Sequence, residues 1–475
     1  MLFSSFLFLI LFLPGVLALY FAMPGIRTRN GVLVFASLLF YFWGEGAYIA
    51  VMLASVLIAW YFGNRIESTR SPRDRQLVAT TGILLIVGLL VGFKYANFLV
   101  DNVNALQHAF GIAGTLRLAP VHLPIGISFF TFQVVSYLID VYRGDVAAQP
   151  SLFKVALYKT FFPQLIAGPI VRYRDIKQSI DVRHTSADDF AEGAYRFVVG
   201  LAQKVLIANT VGQAADAIFR LPTGQLGVAA AWLAAICYTF QIYFDFAGYS
   251  NMAIGLGRIF GFRLLENFAH PYASQSITEF WRRWHISLST WFRDYLYIPL
   301  GGSRGSQLRT YRNLFIVFFL CGLWHGASWT FIVWGLFHGS LLSAERAGMG
   351  RWLARIPALM RWTYTIGATI VGWVIFRCDT LGQGWLHLKA MFGFGSHTAF
   401  LTPLQQFVTP ELGVALALAA FFSFPQSRFV PAWDHADAPT AWQVAYPYLA
   451  FVTCLTLSLV YLAGASFNPF IYFRF

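Results

Sequence analysis

Six stretches of this 475-residue chain contain no Asp, Glu, Lys or Arg: residues 1–26, 46–64, 118–139, 221–244, 314–344 and 438–473. A helix that crosses a bilayer needs about 20 mostly apolar residues, and these runs approach or exceed that length. Inside hydrocarbon the chain must satisfy its own N–H and C=O groups, so a continuous apolar run there has to be helical. A transmembrane barrel would instead alternate apolar and polar residues in ~10-residue pieces. Weaker apolar windows lie at 76–93, 390–410 and 412–427. The predicted class is an all-α polytopic integral membrane protein with on the order of ten hydrophobic helices, some tilted, re-entrant or interfacial.

Composition excludes the main alternatives. Charged residues make up 12% of the chain, against about 25% in soluble domains. With 57% hydrophobic and 18% aromatic residues, disorder and a coiled coil are ruled out. Cys237, Cys321, Cys378 and Cys454 are scattered through apolar stretches without a CxxC pair, so neither a disulfide framework nor a zinc site is expected. The first basic residue, Arg27, follows the first apolar run, which predicts a retained helix instead of a cleaved signal. The net charge of +13 is read as topology. Arg27 and Arg29, and Arg65, Arg70, Arg73 and Arg75, flank two successive spans, which places both loops in the cytoplasm and the N-terminus outside. No basic block with interleaved aromatics offers a nucleic-acid surface.

No linker or repeat divides the chain, so residues 1–475 read as one membrane-embedded domain. Residues 1–100 predict about four hydrophobic helices, 101–120 a mixed connection, and 121–143 a further span. In 151–183, Pro163, Gly168 and Pro169 interrupt an apolar segment, which predicts a re-entrant or broken helix. Ser186 to Asp189 reads as a capping box that starts a helix running to about Phe219. About three further helices are expected after residue 343.

Three segments could carry chemistry. Over 276–298, at about 100° per residue, Trp281, Trp284, Leu288, Trp291 and Tyr295 share one face of a single helix. Thr278, Arg282, His285, Ser289 and Arg293 form a polar stripe beside it. The stripe is either an interfacial surface whose arginines meet lipid phosphates, or a cationic floor for a phosphorylated ligand, with Arg282 and Arg283 as its cations. Second, His325 lies in the middle of the charge-free window 314–344, where an ionisable group is costly; it is either a functional residue or a neutral imidazole that hydrogen-bonds across a helix interface. Trp324 and Ser328 flank it. Gly322 with Gly326, and Gly335 with Gly339, are GxxxG pairs that let helices approach closely. If 313–343 is one helix, His338 lies ~20 Å further along and about 220° round, away from His325. Third, Asp245, with Gln241, Tyr249 and Asn251, either pairs with Arg258, Arg282 or Arg283 or touches substrate. There is no nucleophile elbow or Walker loop; the glycines from Gly255 to Gly261 suit helix packing, and His184 and Asp189 read as solvated helix-start residues.

The run Phe280-Trp-Arg-Arg-Trp-His-Ile-Ser-Leu-Ser-Thr-Trp-Phe-Arg-Asp-Tyr, together with Gly322-Leu-Trp-His-Gly and Phe244-Asp-Phe-Ala-Gly-Tyr-Ser, resembles the membrane-bound O-acyltransferase (MBOAT) superfamily. Leu123-Pro-Ile-Gly-Ile-Ser-Phe, Phe162-Pro-Gln-Leu-Ile-Ala-Gly-Pro and Phe470-Ile-Tyr-Phe-Arg-Phe475 make it similar to the alginate O-acetylation branch. The resemblance implies a helical funnel with a thin centre, and His325 and His285 as the active-site pair. It implies acetyl-CoA as the donor, with no permanently bound cofactor or metal. A periplasmic SGNH-type acetyltransferase is the implied partner and the bacterial inner membrane the implied location. Asp245, Tyr249, Asn251, Trp284, Ser289, Trp324 and Ser328 become candidates for lining the substrate passage. D-alanyl or other acyl transfer to a cell-wall polymer, and transport of an anionic substrate, are the competing readings.

Overall fold

The computed structural model describes residues 1–112, 114–394, 401–425, 441–464 and 467–471. Every regular element among them is helical. Five segments are long and apolar enough to cross a membrane: Ile26–Ser68, Pro72–Lys94, Val228–Ile259, Ala358–Arg377 and Ala445–Gly464. Leu7–Ala22 and Pro410–Phe422 are shorter apolar helices. The window 390–410 does not form a span; the helix Leu381–Met391 ends there, and Gly393 takes a positive φ of 77°. Residues 395–400 of that window lie outside the described set. By packing, the chain divides into two compact units, Met1–Ala191 with Leu256–Leu265, and Glu192–Gly255 with Glu266–Phe475.

The first unit holds the four predicted N-terminal helices, Leu13–Ala22, Ile26–Glu45, Ile49–Ser68 and Pro72–Lys94. The last starts at a local signal: Ser71 Oγ accepts from the Asp74 amide, and Pro72 occupies the first turn, where no N–H is required. The mixed connection expected at 101–120 is the end of the helix Ala96–Ala109 followed by non-helical chain. The helix's asparagines pin the non-helical chain that follows. Asn104 exchanges two hydrogen bonds with the Leu116 backbone, and Asn97 Oδ1 accepts from the Val121 amide.

The broken helix is present as Leu152–Thr160, the single turn Phe162–Leu165, and Tyr173–Asp181. Residues Leu157 to Val171 are all buried, so the interrupted backbone is enclosed by protein. Gln164 Nε2 donates to the Tyr158 carbonyl at 2.6 Å, which replaces a ladder bond that the break removes.

Near the end of the first unit's run Met1–Ala191 the capping box is present as expected. Ser186 Oγ accepts from the Asp189 amide at 3.0 Å, and the Asp189 carboxylate reaches back to Ser186. The helix runs as Ala187–Ala202, a π-helical turn Gln203–Ala208, and Asn209–Phe219. It packs against Val228–Ile259 through bare backbone. A Cβ on Gly200 would stand 2.5 Å from the Gly248 carbonyl, and one on Gly255 would stand 2.5 Å from the Gly193 carbonyl. Gly255 therefore serves helix packing, as its spacing suggested. Cys237, Cys321 and Cys378 are buried, Cys454 is half-buried, and all four are unpaired thiols.

Candidate functional site

The site grows from a helical hairpin in the second unit. The helix Gln307–His325 ends at His325 because Gly326 is fully extended and Ser328 caps the next helix, Trp329–Ala344. The expectation of one helix over 313–343 is thus corrected: the chain reverses immediately after His325. The glycine pairs make the reversal possible. A Cβ on Gly322 would lie 2.3 Å from the Phe331 carbonyl, and one on Gly335 would lie 2.2 Å from the Phe318 carbonyl. Gly326 is covered by the Phe331 ring at 2.1 Å from where its Cβ would be.

This fold-back surrounds His325 with ring edges. Trp324, Trp334 and Phe376 have centroids 4.9, 5.1 and 5.2 Å from its imidazole. His325 is 4% exposed. The reversal also returns His338, one turn beyond Trp334, to the same aromatic cluster. Trp334 lies 5.2 Å from His338, and Trp281 Nε1 donates to His338 Nδ1 at 3.4 Å. The predicted separation of His338 from His325 fails for that reason.

The 276–298 segment is the second correction. It is not one helix but Ile277–Arg283, then Ile286–Phe292, then a π-helical turn Arg293–Tyr297. His285 sits at the break with φ 43° and ψ 56°. For a residue with a side chain, that left-handed geometry costs on the order of 1 kcal/mol or more and persists only where its surroundings enforce it. Two backbone bonds do so, Ala269 N–H to the Arg283 carbonyl at 3.0 Å and Ile286 N–H to the Asn267 carbonyl at 2.9 Å. The first short helix is oriented by Glu345, whose carboxylate accepts from the Ile277 and Thr278 amides and from the Thr278 hydroxyl.

The break takes His285 out of the polar stripe. Arg282 and Arg293 are exposed, whereas His285 is fully buried. Its ring meets Phe246 at 4.7 Å and Trp324 at 5.9 Å. Trp324 therefore packs against both imidazoles, although about 40 residues separate them in the chain. The aromatic face is protein core: Trp281, Trp284, Leu288, Trp291 and Tyr295 are all buried, and Trp284 packs on Trp373 at 4.8 Å.

The two arginines differ. Arg283 pairs with Glu279 at 2.8 Å and donates to the Ala269 carbonyl. Arg282 is exposed and forms no ion pair among the described residues. Arg293 is matched by Asp294 at 2.8 Å. Ser289 donates to the Trp284 carbonyl, and Ser328 is engaged as a helix cap. An apolar cavity of about 160 Å³ lies along Trp281, Leu288, Phe292, Phe318 and Cys321. A polar one of about 510 Å³ lies along Gln275, Thr278, Glu279, Arg346 and Arg361; Leu314 and Leu342 line both. Neither is lined by His285 or His325.

Asp245 pairs with none of the arginines proposed for it. Its carboxylate lies 2.7 Å from Lys204 Nζ, with both side chains 2% exposed, and accepts the Ile471 amide at 2.8 Å. Tyr249 packs against Phe470 with ring centroids 4.7 Å apart. Asn251 accepts from Arg196 and donates to Gln203. Sequence reasoning missed Lys204, Glu345 and Asn267. Lys204 was detectable as a lone cation inside an apolar helix. Glu345 sits just beyond a charge-free window, and nothing local distinguishes Asn267. Among the described residues, no cluster of three or more His, Cys, Asp or Glu side chains is placed to hold a metal ion.

The family model described as MBOAT, the membrane-bound O-acyltransferase family, matches residues 123–395. A probable alginate O-acetylase AlgI of Azotobacter vinelandii is 44% identical over 506 residues, covering 100% of both chains. The protein of the same name in Pseudomonas aeruginosa is 42% identical, again across 100% of both. A peptidoglycan O-acetyltransferase of Helicobacter pylori is 36% identical over 83% of this chain and 80% of its own.

Proposed function

Since the chain belongs to the membrane-bound O-acyltransferase family, and is thereby a multi-pass membrane O-acyltransferase, we propose that it passes acetyl groups across the bacterial inner membrane for O-acetylation of an exported polysaccharide such as alginate. End-to-end likeness to alginate O-acetylases carries the choice of polymer. The donor in this reading is cytoplasmic acetyl-CoA, whose phosphates suit the unpaired Arg282. The receiving partner is a periplasmic SGNH-type acetyltransferase that hands acetyl on to the polymer.

The observation that carries the chemistry is the joining of two buried imidazoles through Trp324. His325 takes the proton of the acceptor hydroxyl as its oxygen attacks the thioester carbonyl. The C–S bond then breaks, and the proton passes to the leaving thiolate. No serine or cysteine of the chain sits in a nucleophile motif, so transfer in this reading is direct within a ternary complex. In this reading His285, the second imidazole packed on Trp324, orients the reacting groups.

The test is acetyl transfer from radiolabelled acetyl-CoA by purified protein in nanodiscs. His325→Ala should abolish transfer while leaving the protein inserted, because losing one uncharged helix contact costs only ~1–3 kcal/mol. Membrane levels that collapse together with activity would return His325 to a structural role. Acetyl trapped on a residue other than His would refute direct transfer, and movement of an intact anion without acetyl transfer would identify a transporter.

A further inference from the structure

Asn267 lies 18 residues before His285 in sequence and is 1% exposed. Its Oδ1 is 3.3 Å from the Ser287 backbone nitrogen, 2.9 Å from Ser287 Oγ and 3.1 Å from His285 Nδ1. Its Nδ2 is 3.1 Å from Ser250 Oγ. A backbone N–H can only donate, so the atom facing Ser287 is the amide oxygen and the side chain cannot be turned round. An amide oxygen can only accept. His285 Nδ1 must therefore carry a proton, and in a neutral imidazole the lone pair is then on Nε2. That Nε2 is buried and has no hydrogen-bond partner among the described residues. A buried acceptor left bare is unfavourable unless something bound supplies a donor.

We infer that Asn267 is a positioning residue that commits His285 to the tautomer with an open Nε2 acceptor. The inference rests on His285 belonging to the acyl-transfer site. It then assigns what His285 does there: Nε2 accepts a hydrogen bond or proton from a hydroxyl or amide N–H of the reacting molecules. A neutral His285 held this way has no proton to offer an oxyanion, so oxyanion stabilisation falls to another group. Ser250 completes the device by engaging the amide nitrogen and keeping the oxygen turned towards His285 and Ser287.

The full chain, labelled with ¹⁵N-histidine and reconstituted in nanodiscs, gives two readouts. In the parent, the His285 resonances, assigned by their loss in His285→Gln, should show a protonated Nδ1 and an unprotonated Nε2. In kinetics with labelled acetyl-CoA, Asn267→Ala should lower kcat by about 10²-fold, the scale of a lost acid–base contact, with KM little changed. Asn267→Asp should recover most of kcat, since a carboxylate oxygen accepts the same three donors, while Ser250→Ala should give a smaller loss and a mixture of tautomers. If Asn267→Ala fails to accumulate, the Asp and Ser250 variants carry the test. An Nε2–H tautomer in the parent overturns the inference, as does a parental kcat and tautomer in Asn267→Ala. An Asp variant as inactive as Ala, though equally folded, overturns it too. Full activity in His285→Ala would instead remove His285 from the site, a result distinct from an inactive His285→Ala beside an unaffected Asn267→Ala.

Discussion

Replacing Lys204 by Met isolates the buried ion pair at the C-terminal segment. The ammonium lies 2.7 Å from the Asp245 carboxylate, and both side chains are 2% exposed. It also donates to Asn209 Oδ1 at 2.7 Å and to the Pro469 carbonyl. At that separation the direct attraction is about 6 kcal/mol for an effective dielectric constant of ~20. Desolvation of the two ions offsets much of this, so the intact pair adds little net stability. Removing one partner is different: among the described residues Asp245 keeps only the Ile471 amide, and the carboxylate is left buried and uncompensated. Lys204→Met should therefore destabilise by about 3–5 kcal/mol, and Asp245→Asn by a similar amount. The double variant should cost less than the sum by ~1–3 kcal/mol, because no unpaired charge remains. Unfolding of the purified protein in detergent measures all three, and acetyl transfer per folded molecule should be unchanged. Strict additivity would refute the pairing argument. Loss of transfer in Asp245→Asn at parental stability would move Asp245 from structure to substrate contact.

His338→Ala should weaken transfer, since it removes a ring that packs on Trp334 beside His325, but should leave it measurable in the assay that reads zero for His325→Ala. Equal loss in both would place His338 in the chemistry. Gly335→Ala puts a methyl 2.2 Å from the Phe318 carbonyl and should cost at least the ~1–3 kcal/mol of an overpacked core, with reduced transfer. Gly367→Ala, with open space around its Cβ position, should melt no earlier than the parent; similar unfolding of the two variants would refute the close approach in the hairpin.

Much of this protein follows from short-range chemistry and was readable in order along the chain. The apolar runs had to become helices because hydrocarbon leaves a peptide group no other partner. The Ser186–Asp189 cap, the break around Pro163 and Gly168, and the close-packing glycines depend on neighbours within a few residues, and each stands where it was expected. His325 stood out for the same reason, as an ionisable group in a charge-free window. What could not be read was every feature made by residues distant in sequence. Trp284-His-Ile-Ser contains neither Pro nor Gly, so its pattern continues smoothly as a helix on a wheel. The break exists because the backbone of Asn267 and Ala269 competes successfully for Ile286 N–H and the Arg283 carbonyl. The partner of Asp245 depended on which helix packs beside it, and helical periodicity carries no information about that choice. Sequence alone therefore determined that the chain builds apolar helices and which histidine is costly in an apolar run. Tertiary packing decided that the hairpin reverses at His325, that His285 leaves its polar stripe, and that Trp324 joins the two imidazoles, because those outcomes depend on hydrogen bonds and ring contacts between segments far apart in the chain.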